Sequence, residues 1–226
     1  MIESEWLACS DPQPMLRHLG CKAGERKRRL FACACCRRAW HLLVGYRIQK
    51  AVETAERYAD KSASEIELDE ASDAAEVVYR FGACNTGRHA AAQAVLSSTA
   101  GGLDAARAAV FAAQGIVNPK DIALPSECEQ VGLDAERAEQ TSVLRDIIGN
   151  PFHAKVIDLS WLTWHKGSVL KMARAIYEGR DFDRMPVLAN ALERAGCTDA
   201  DILDHCRSGG EHVRGCWVLD LLLCKG

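Results

Sequence analysis

The sequence lacks the patterns that most directly assign a fold or an activity. No stretch alternates apolar and polar residues in the way that a half-buried strand requires. It contains no Gly-rich phosphate loop, no nucleophile elbow and no His-Glu-x-x-His motif. A β-rich fold is therefore not predicted, and we lean towards a protein that is not an enzyme.

A strong charge excess and a membrane-length apolar segment are also lacking. The net charge of -3 provides no general attraction to nucleic acid or to anionic membranes. The first residues, Met1 to Glu5, are acidic and no apolar run follows them, so a signal peptide is not predicted. The most apolar segment, 211–224, is shorter than the roughly 20 residues that span a bilayer. We predict a cytoplasmic protein that does not enter membranes.

Cysteine, in contrast, is abundant. The chain has 11 cysteines, an odd number that complete intramolecular pairing cannot satisfy. In a long chain without an export signal, cysteines are mostly reduced and behave as small apolar residues. We therefore predict that most of these thiols fill the core.

The remaining pattern is helical throughout and predicts an all-α fold, a single multi-helix bundle with a buried C-terminal helix. That helix is expected at 211–224, EHVRGCWVLDLLLC, which is apolar in nearly every direction at 100° per residue. Residues 1–226 are predicted to form one helical domain. A possible sub-boundary is the Gly- and Pro-containing loop at 114–132, between an N-terminal bundle (4–113) and a C-terminal helical part (133–224).

One set of residues could bind a metal: His205, Cys206, His212 and Cys216. On a helix over 211–224, His212 and Cys216 would lie one turn apart on the same face, and His205 and Cys206 could complete a zinc site. However, adjacent ligands rarely point at one ion and a Cys-x2-Cys pair is missing. A packed thiol with hydrogen-bonded imidazoles is the favoured alternative.

A long second helix, roughly Glu25 to Val44, carries two further features. Cys33, Cys35 and Cys36 lie on its apolar face, where core packing is favoured over metal or redox chemistry. Its basic residues Arg26, Lys27, Arg37 and Arg38 could bind nucleic acid. The favoured alternative is that they pair with the acidic residues of segment 53–76.

Two tryptophans in an irregular apolar segment, Trp161 and Trp164, suggest exposed aromatics that line a groove for a protein partner. The predicted groove is the observation that favours a role in binding another protein.

Several long phrases resemble a known group of proteins. They include RKRRLFACACCRRAWHLL at 26–43, LRDIIGNPF at 144–152 and RAIYEGRDFDRMPVLANALERAGCTDADILDHCRSGGEHVRGCWVLDLLL at 174–223. The chain resembles an uncharacterised family of short helical proteins abundant in planctomycete bacteria. The resemblance implies no activity, because none is assigned to that family.

Together these observations predict a non-enzymatic protein-interaction or regulatory module whose partner is another protein and which needs no cofactor. The alternative is a zinc-binding protein, a nucleic-acid-associated protein, or both.

Overall fold

The computed structural model describes residues 1–81, 86–99, 104–117 and 126–225. Within those ranges there is no β-strand, and the all-α prediction is confirmed. The α-helices are α1 (Glu3–Ala8), α2 (Pro12–Leu19), α3 (Gly24–Arg38), α4 (Tyr46–Ala59), α5 (Glu65–Phe81), α6 (Thr86–Thr99), α7 (Ala105–Val117), α8 (Ser126–Ile148), α9 (Leu159–Gly179), α10 (Met185–Arg194), α11 (Ala200–Arg207) and α12 (Trp217–Leu222).

The chain forms two compact units, residues 1–144 and 145–226, which we call unit 1 and unit 2. The division falls inside α8, so the last turn of this helix belongs to unit 2. The prediction of a loop at 114–132 is wrong at both ends. Residues 114–117 form the end of α7, and residues 126–132 form the start of α8. Helical propensity overrides the single glycines at 115 and 132, and 118–125 lie outside the described residues.

Helix α3 is the centre of unit 1, where it contacts α4, α6 and α7. Small side chains make this possible, because they let helix axes approach closely. Ala32, Cys33, Cys35 and Cys36 of α3 are fully buried. The facing helices also present alanines, among them Ala91 and Ala94 of α6 and Ala105, Ala108, Ala109, Ala112 and Ala113 of α7.

Helix ends in both units follow their capping residues. The Asp11 side chain accepts a hydrogen bond from the Gln13 amide at the start of α2, and Asp199 accepts one from Ile202 in α11. Ser64 and Glu67 form a capping box at the start of α5.

Unit 2 packs α9, α10, α11 and α12 around one apolar core. The buried C-terminal helix is confirmed, since Val218, Leu219 and Leu222 are almost completely buried. Its predicted length is wrong, because α12 covers only Trp217–Leu222. Gly215 adopts φ +95°, a left-handed conformation that ends any helical path through 211–216.

Most described cysteines lie in the core, as predicted. Cys33, Cys35, Cys36, Cys197, Cys206 and Cys216 are buried, Cys9 is half-buried, and Cys128 and Cys224 are exposed. No described helix combines the length and the apolar character needed to cross a bilayer.

Candidate metal centre

Four potential metal ligands converge in unit 2: Asp146, His205, His212 and Cys216. They come from three separate segments. Asp146 lies in the last turn of α8 and His205 in the last turn of α11, whereas His212 and Cys216 lie in the irregular segment that leads into α12. One donor atom from each side chain lies within 4.8 Å of all the others.

The measured separations are close to those of a tetrahedral zinc site. His205 Nε2 lies 3.1 Å from Cys216 Sγ and 3.1 Å from Asp146 Oδ1. His212 Nδ1 lies 2.6 Å from the same Asp146 oxygen. Zinc–ligand bonds of about 2.0–2.3 Å place tetrahedral donor atoms roughly 3.3–3.7 Å apart. To make room for an ion, the 2.6 Å pair would have to open by about 0.7–1.1 Å and the two 3.1 Å pairs by about 0.2–0.6 Å.

The backbone fixes the orientation of Asp146. Its second oxygen, Oδ2, accepts a hydrogen bond of 2.9 Å from the Val213 amide. This leaves Oδ1 to face both imidazoles and makes Asp146 a single-oxygen ligand. Partners that hold a ligand in this way are typical of metal sites.

The four ligands are shielded from solvent to different degrees. The side chains of Asp146 and His212 are 4% and 6% exposed and Cys216 is 0% exposed, whereas His205 is 17% exposed. His212 Nε2 is buried and has no hydrogen-bond partner among the described residues. Neutral imidazole is the form that binds metals.

The local electrostatics favour a cation at the centre of the group. Burial acts to raise the pKa of Asp146, but the hydrogen bonds with His205 and His212 outweigh it and hold the pKa below its ordinary value. Burial, followed by the negative charge of Asp146, raises the pKa of the Cys216 thiol well above its ordinary range. A divalent cation would reverse the effect on Cys216, because a coordinating thiol is deprotonated.

Cysteine-type nucleophilic catalysis is a poor fit to this geometry. In a catalytic triad, one imidazole nitrogen contacts the nucleophile and the other contacts the carboxylate. Here His205 uses Nε2 for both Cys216 and Asp146. A nucleophilic thiol also needs solvent access and a lowered pKa, and Cys216 has neither.

Three of the four residues that the sequence suggested for a metal site are in this group, and Cys206 is not. Neighbouring positions on a helix point about 100° apart, so Cys206 cannot follow His205 into the site. Its side chain packs in the core of unit 2, where burial raises its pKa to about 12. Asp146 was missed because it lies 66 residues before His212 in the chain, and only the fold brings the two together.

The basic residues suggested for nucleic-acid binding are largely engaged in ion pairs within unit 1. Arg26 pairs with Asp60 at 2.9 Å and Arg37 with Glu56 at 2.9 Å, as the favoured alternative predicted. Arg38 pairs with Glu136 rather than with the 53–76 segment.

The tryptophans suggested for a partner groove contribute to the core of unit 2. The expectation that Trp161 is exposed is wrong, because it is 8% exposed. Trp164 is half-buried against the same core.

Unit 1 contains a different kind of concavity, a half-open cavity of about 150 Å³ between α4, α5 and α6. Its walls are mainly apolar, with Leu43 and Ile48 at its base, and Arg88 and His89 contribute polar atoms. No metal-binding group of three or more ligands occurs there or elsewhere in unit 1 within the described ranges.

Comparison with protein-family models, curated proteins and solved structures finds no match to this chain.

Proposed function

We propose that this protein is a non-enzymatic helical module whose C-terminal unit binds one structural zinc ion through Asp146, His205, His212 and Cys216. The observation that carries the proposal is the convergence of four donor atoms within 4.8 Å of one another. Two imidazoles, one thiolate and one carboxylate form a donor set of borderline softness that suits zinc.

A structural role is supported by the number of protein ligands. Structural zinc sites are closed by four protein ligands, whereas catalytic sites keep one position for water or substrate. The burial of three of the four side chains supports a closed site. The ion would join the end of α8, α11 and the segment before α12, and thereby fix an otherwise irregular stretch of backbone.

One buried N–H group would be left unpaired by zinc binding, and its free-energy cost is small relative to the free energy of binding. Coordination through His212 Nδ1 would leave a proton on the buried Nε2 atom, which costs about 1–3 kcal/mol. Zinc binding to structural sites in small domains contributes on the order of 10 kcal/mol. The free energy gained on zinc binding is therefore larger than the cost of the unpaired N–H group.

The thiolate ligand also bears on the compartment. Zinc-bound cysteine is retained where thiols stay reduced, and the cytoplasm is such a compartment. A protein partner remains part of the proposal, although the burial of Trp161 removes the groove that first suggested one. Nucleic-acid binding is not favoured, because three of the four candidate cations already pair with carboxylates.

The test is the metal content of the full chain, purified without a His tag under reducing conditions and reconstituted with zinc. We expect one zinc per chain by mass spectrometry. Cys216→Ser and His212→Ala should lose the ion. Cys206→Ser is the matched control and should retain it, because Cys206 is equally buried but lies outside the group.

Cobalt substitution gives a second measurement that does not depend on stoichiometry. A tetrahedral site with one thiolate gives intense visible ligand-field bands and a sulfur-to-cobalt charge-transfer band. The charge-transfer band should disappear in Cys216→Ser and persist in Cys206→Ser. A wild-type chain that takes up neither zinc nor cobalt would disprove the proposal.

A further inference from the structure

Trp217 lies directly beside the candidate metal centre. It follows Cys216 in the chain, and its ring centroid is 5.1 Å from that of His205. Its side chain is half-buried, with one part against the core of unit 2 and the rest towards solvent. Trp217 thus covers the imidazole of one ligand.

His205 is also the ligand through which solvent comes nearest to the site. It is 17% exposed, against 4% for Asp146 and 6% for His212. Among these ligands, His205 is therefore the one nearest to a route by which an ion could enter or leave, and the Trp217 ring lies beside its imidazole.

The backbone supports the indole through Gly149, the residue that ends α8. Gly149 adopts φ +72°, and a Cβ atom at this position would lie 3.0 Å from Trp217 Cγ. A Cβ contact of 3.0 Å is tighter than nine in ten real ones, so a side chain at 149 would force the indole to shift by a few tenths of an ångström. The absence of a side chain at 149 therefore gives Trp217 room in its position beside His205.

We infer that Trp217 covers the route by which the metal ion exchanges. The absence of a side chain at Gly149 lets the indole occupy this position. The inference rests on the proposed zinc site. Trp217 is a positioning residue here, since it contacts a ligand and not the ion. Its effect is on the rate of metal release, with the four ligands unchanged.

The experiment measures zinc release from the zinc-loaded full chain into an excess of a chromophoric chelator. We expect Trp217→Ala to release zinc roughly 10- to 100-fold faster, the range over which outer-shell changes alter metal affinity. Trp217→Phe keeps an aromatic cover and should stay near the wild-type rate. Far-UV circular dichroism of each variant checks that the fold is retained.

Gly149→Ala provides a test that leaves the indole in the chain. It should also accelerate release, because the new methyl group displaces Trp217. Gly196→Ala is the matched control. Gly196 has a similar positive φ of +94° but no atom within 4 Å of its Cβ position, so this variant carries the backbone strain without the contact.

The outcomes separate this inference from the function on which it rests. A wild-type chain that binds no zinc contradicts the zinc site itself. A wild-type chain that binds zinc, with release from Trp217→Ala and Gly149→Ala no faster than from the wild type, overturns the covering role alone. Equal acceleration by Gly149→Ala and Gly196→Ala would show that strain, not displacement of the indole, controls release. If Trp217→Ala does not fold, the Gly149→Ala and Gly196→Ala pair still decides.

Discussion

Asp146 joins three parts of unit 2 through its two carboxylate oxygens. One oxygen lies 2.6 Å from His212 Nδ1 and 3.1 Å from His205 Nε2, and the other accepts the Val213 amide. A buried carboxylate is stable only when its lone pairs are occupied in this way. These contacts are present without an ion, so they contribute to stability on their own, and a bound ion would replace the two contacts with the imidazoles.

Replacement of Asp146 by asparagine should destabilise unit 2 in the presence of a chelator. The amide keeps a similar shape but loses the charge that both imidazoles face. We expect a loss of about 2–3 kcal/mol, the range for hydrogen bonds to charged groups, measured by urea unfolding of the full chain. Asp134→Asn is the control, because Asp134 is 60% exposed and its loss should stay within about 0.5 kcal/mol.

The same carboxylate predicts a pH dependence. The pKa of Asp146 is lower in the folded protein than its ordinary value, even though burial opposes this, because the hydrogen bonds with His205 and His212 favour the charged form. A lowered pKa stabilises the fold above the unfolded pKa of about 3.9, and the stabilisation disappears as the pH falls through the folded pKa.

The difference in unfolding free energy between wild type and Asp146→Asn, measured with chelator present, should therefore be largest above about pH 5. It should shrink as the solution is acidified towards about pH 2. A difference that stays constant or grows on acidification would contradict the assignment of this stabilisation to the Asp146 charge.

At the scale of the helix, α3 shows that basic residues close together in the sequence can form ion pairs with buried carboxylates. Arg37 makes two hydrogen bonds to Glu56, through Nε and one terminal nitrogen, and also lies 4.1 Å from the centre of the Trp40 ring. The Glu56 side chain is only 4% exposed. Arg37 therefore provides a counter-charge to a buried carboxylate.

Removal of Arg37 should be costly for this reason. Arg37→Ala removes the bidentate ion pair of the buried Glu56, and we expect a loss of about 3 kcal/mol in the unfolding free energy. Arg28→Ala, in the same helix, should cost less than about 1 kcal/mol, because its hydrogen bond goes to the exposed Gly24 carbonyl at 3.4 Å. Equal losses would mean that helix propensity, not the ion pair, determines the effect.

Helix α9 contains a backbone irregularity with a different consequence. His165, Lys166 and Gly167 all have positive φ values, of 44°, 59° and 78°. Two of the three are not glycine, and a left-handed conformation costs such residues of order 1 kcal/mol. The kink therefore reduces the stability of α9.

Lys166→Gly should remove that strain and raise the unfolding free energy by up to about 1 kcal/mol. Lys171→Gly is the matched control, since Lys171 is exposed in the regular part of α9, and it should lower stability by about 1 kcal/mol. The opposite signs of the two changes, measured by thermal unfolding, test the kink directly.

These elements also show how far the sequence predicts the protein. Apolar periodicity and capping residues such as Asp11 and Asp199 predict most helices, because both signals are local. The site depends on Asp146, which is distant in sequence from the other ligands, and on the left-handed turn at Gly215, which an apolar helical pattern hides. Contacts between remote segments are set by packing, and a single sequence carries no local signal for them.

At the scale of the whole molecule, the division into two units predicts that metal removal acts on only one of them. The four ligands all belong to unit 2, and no group of three or more ligands occurs in the part of unit 1 that the structure describes. A ligand that binds only the folded state stabilises the unit to which it binds.

Treatment of the zinc-loaded chain with a chelator should therefore increase amide hydrogen exchange in α10, α11 and α12. Exchange in α3 and α4 should stay the same, which serves as an internal control. The same treatment of Cys216→Ser should change neither region. A uniform increase across both units would contradict a stabilising role confined to unit 2.

The distribution of the thiols has a practical consequence for the study of the two units. Burial of the core cysteines makes them poor targets for maleimide dyes, whereas Cys128 in unit 1 and Cys224 in unit 2 are exposed. With Cys9, Cys21 and Cys84 replaced by serine, one fluorophore can therefore be attached to each unit. Energy transfer between this pair would report the separation of the units in solution, with and without zinc.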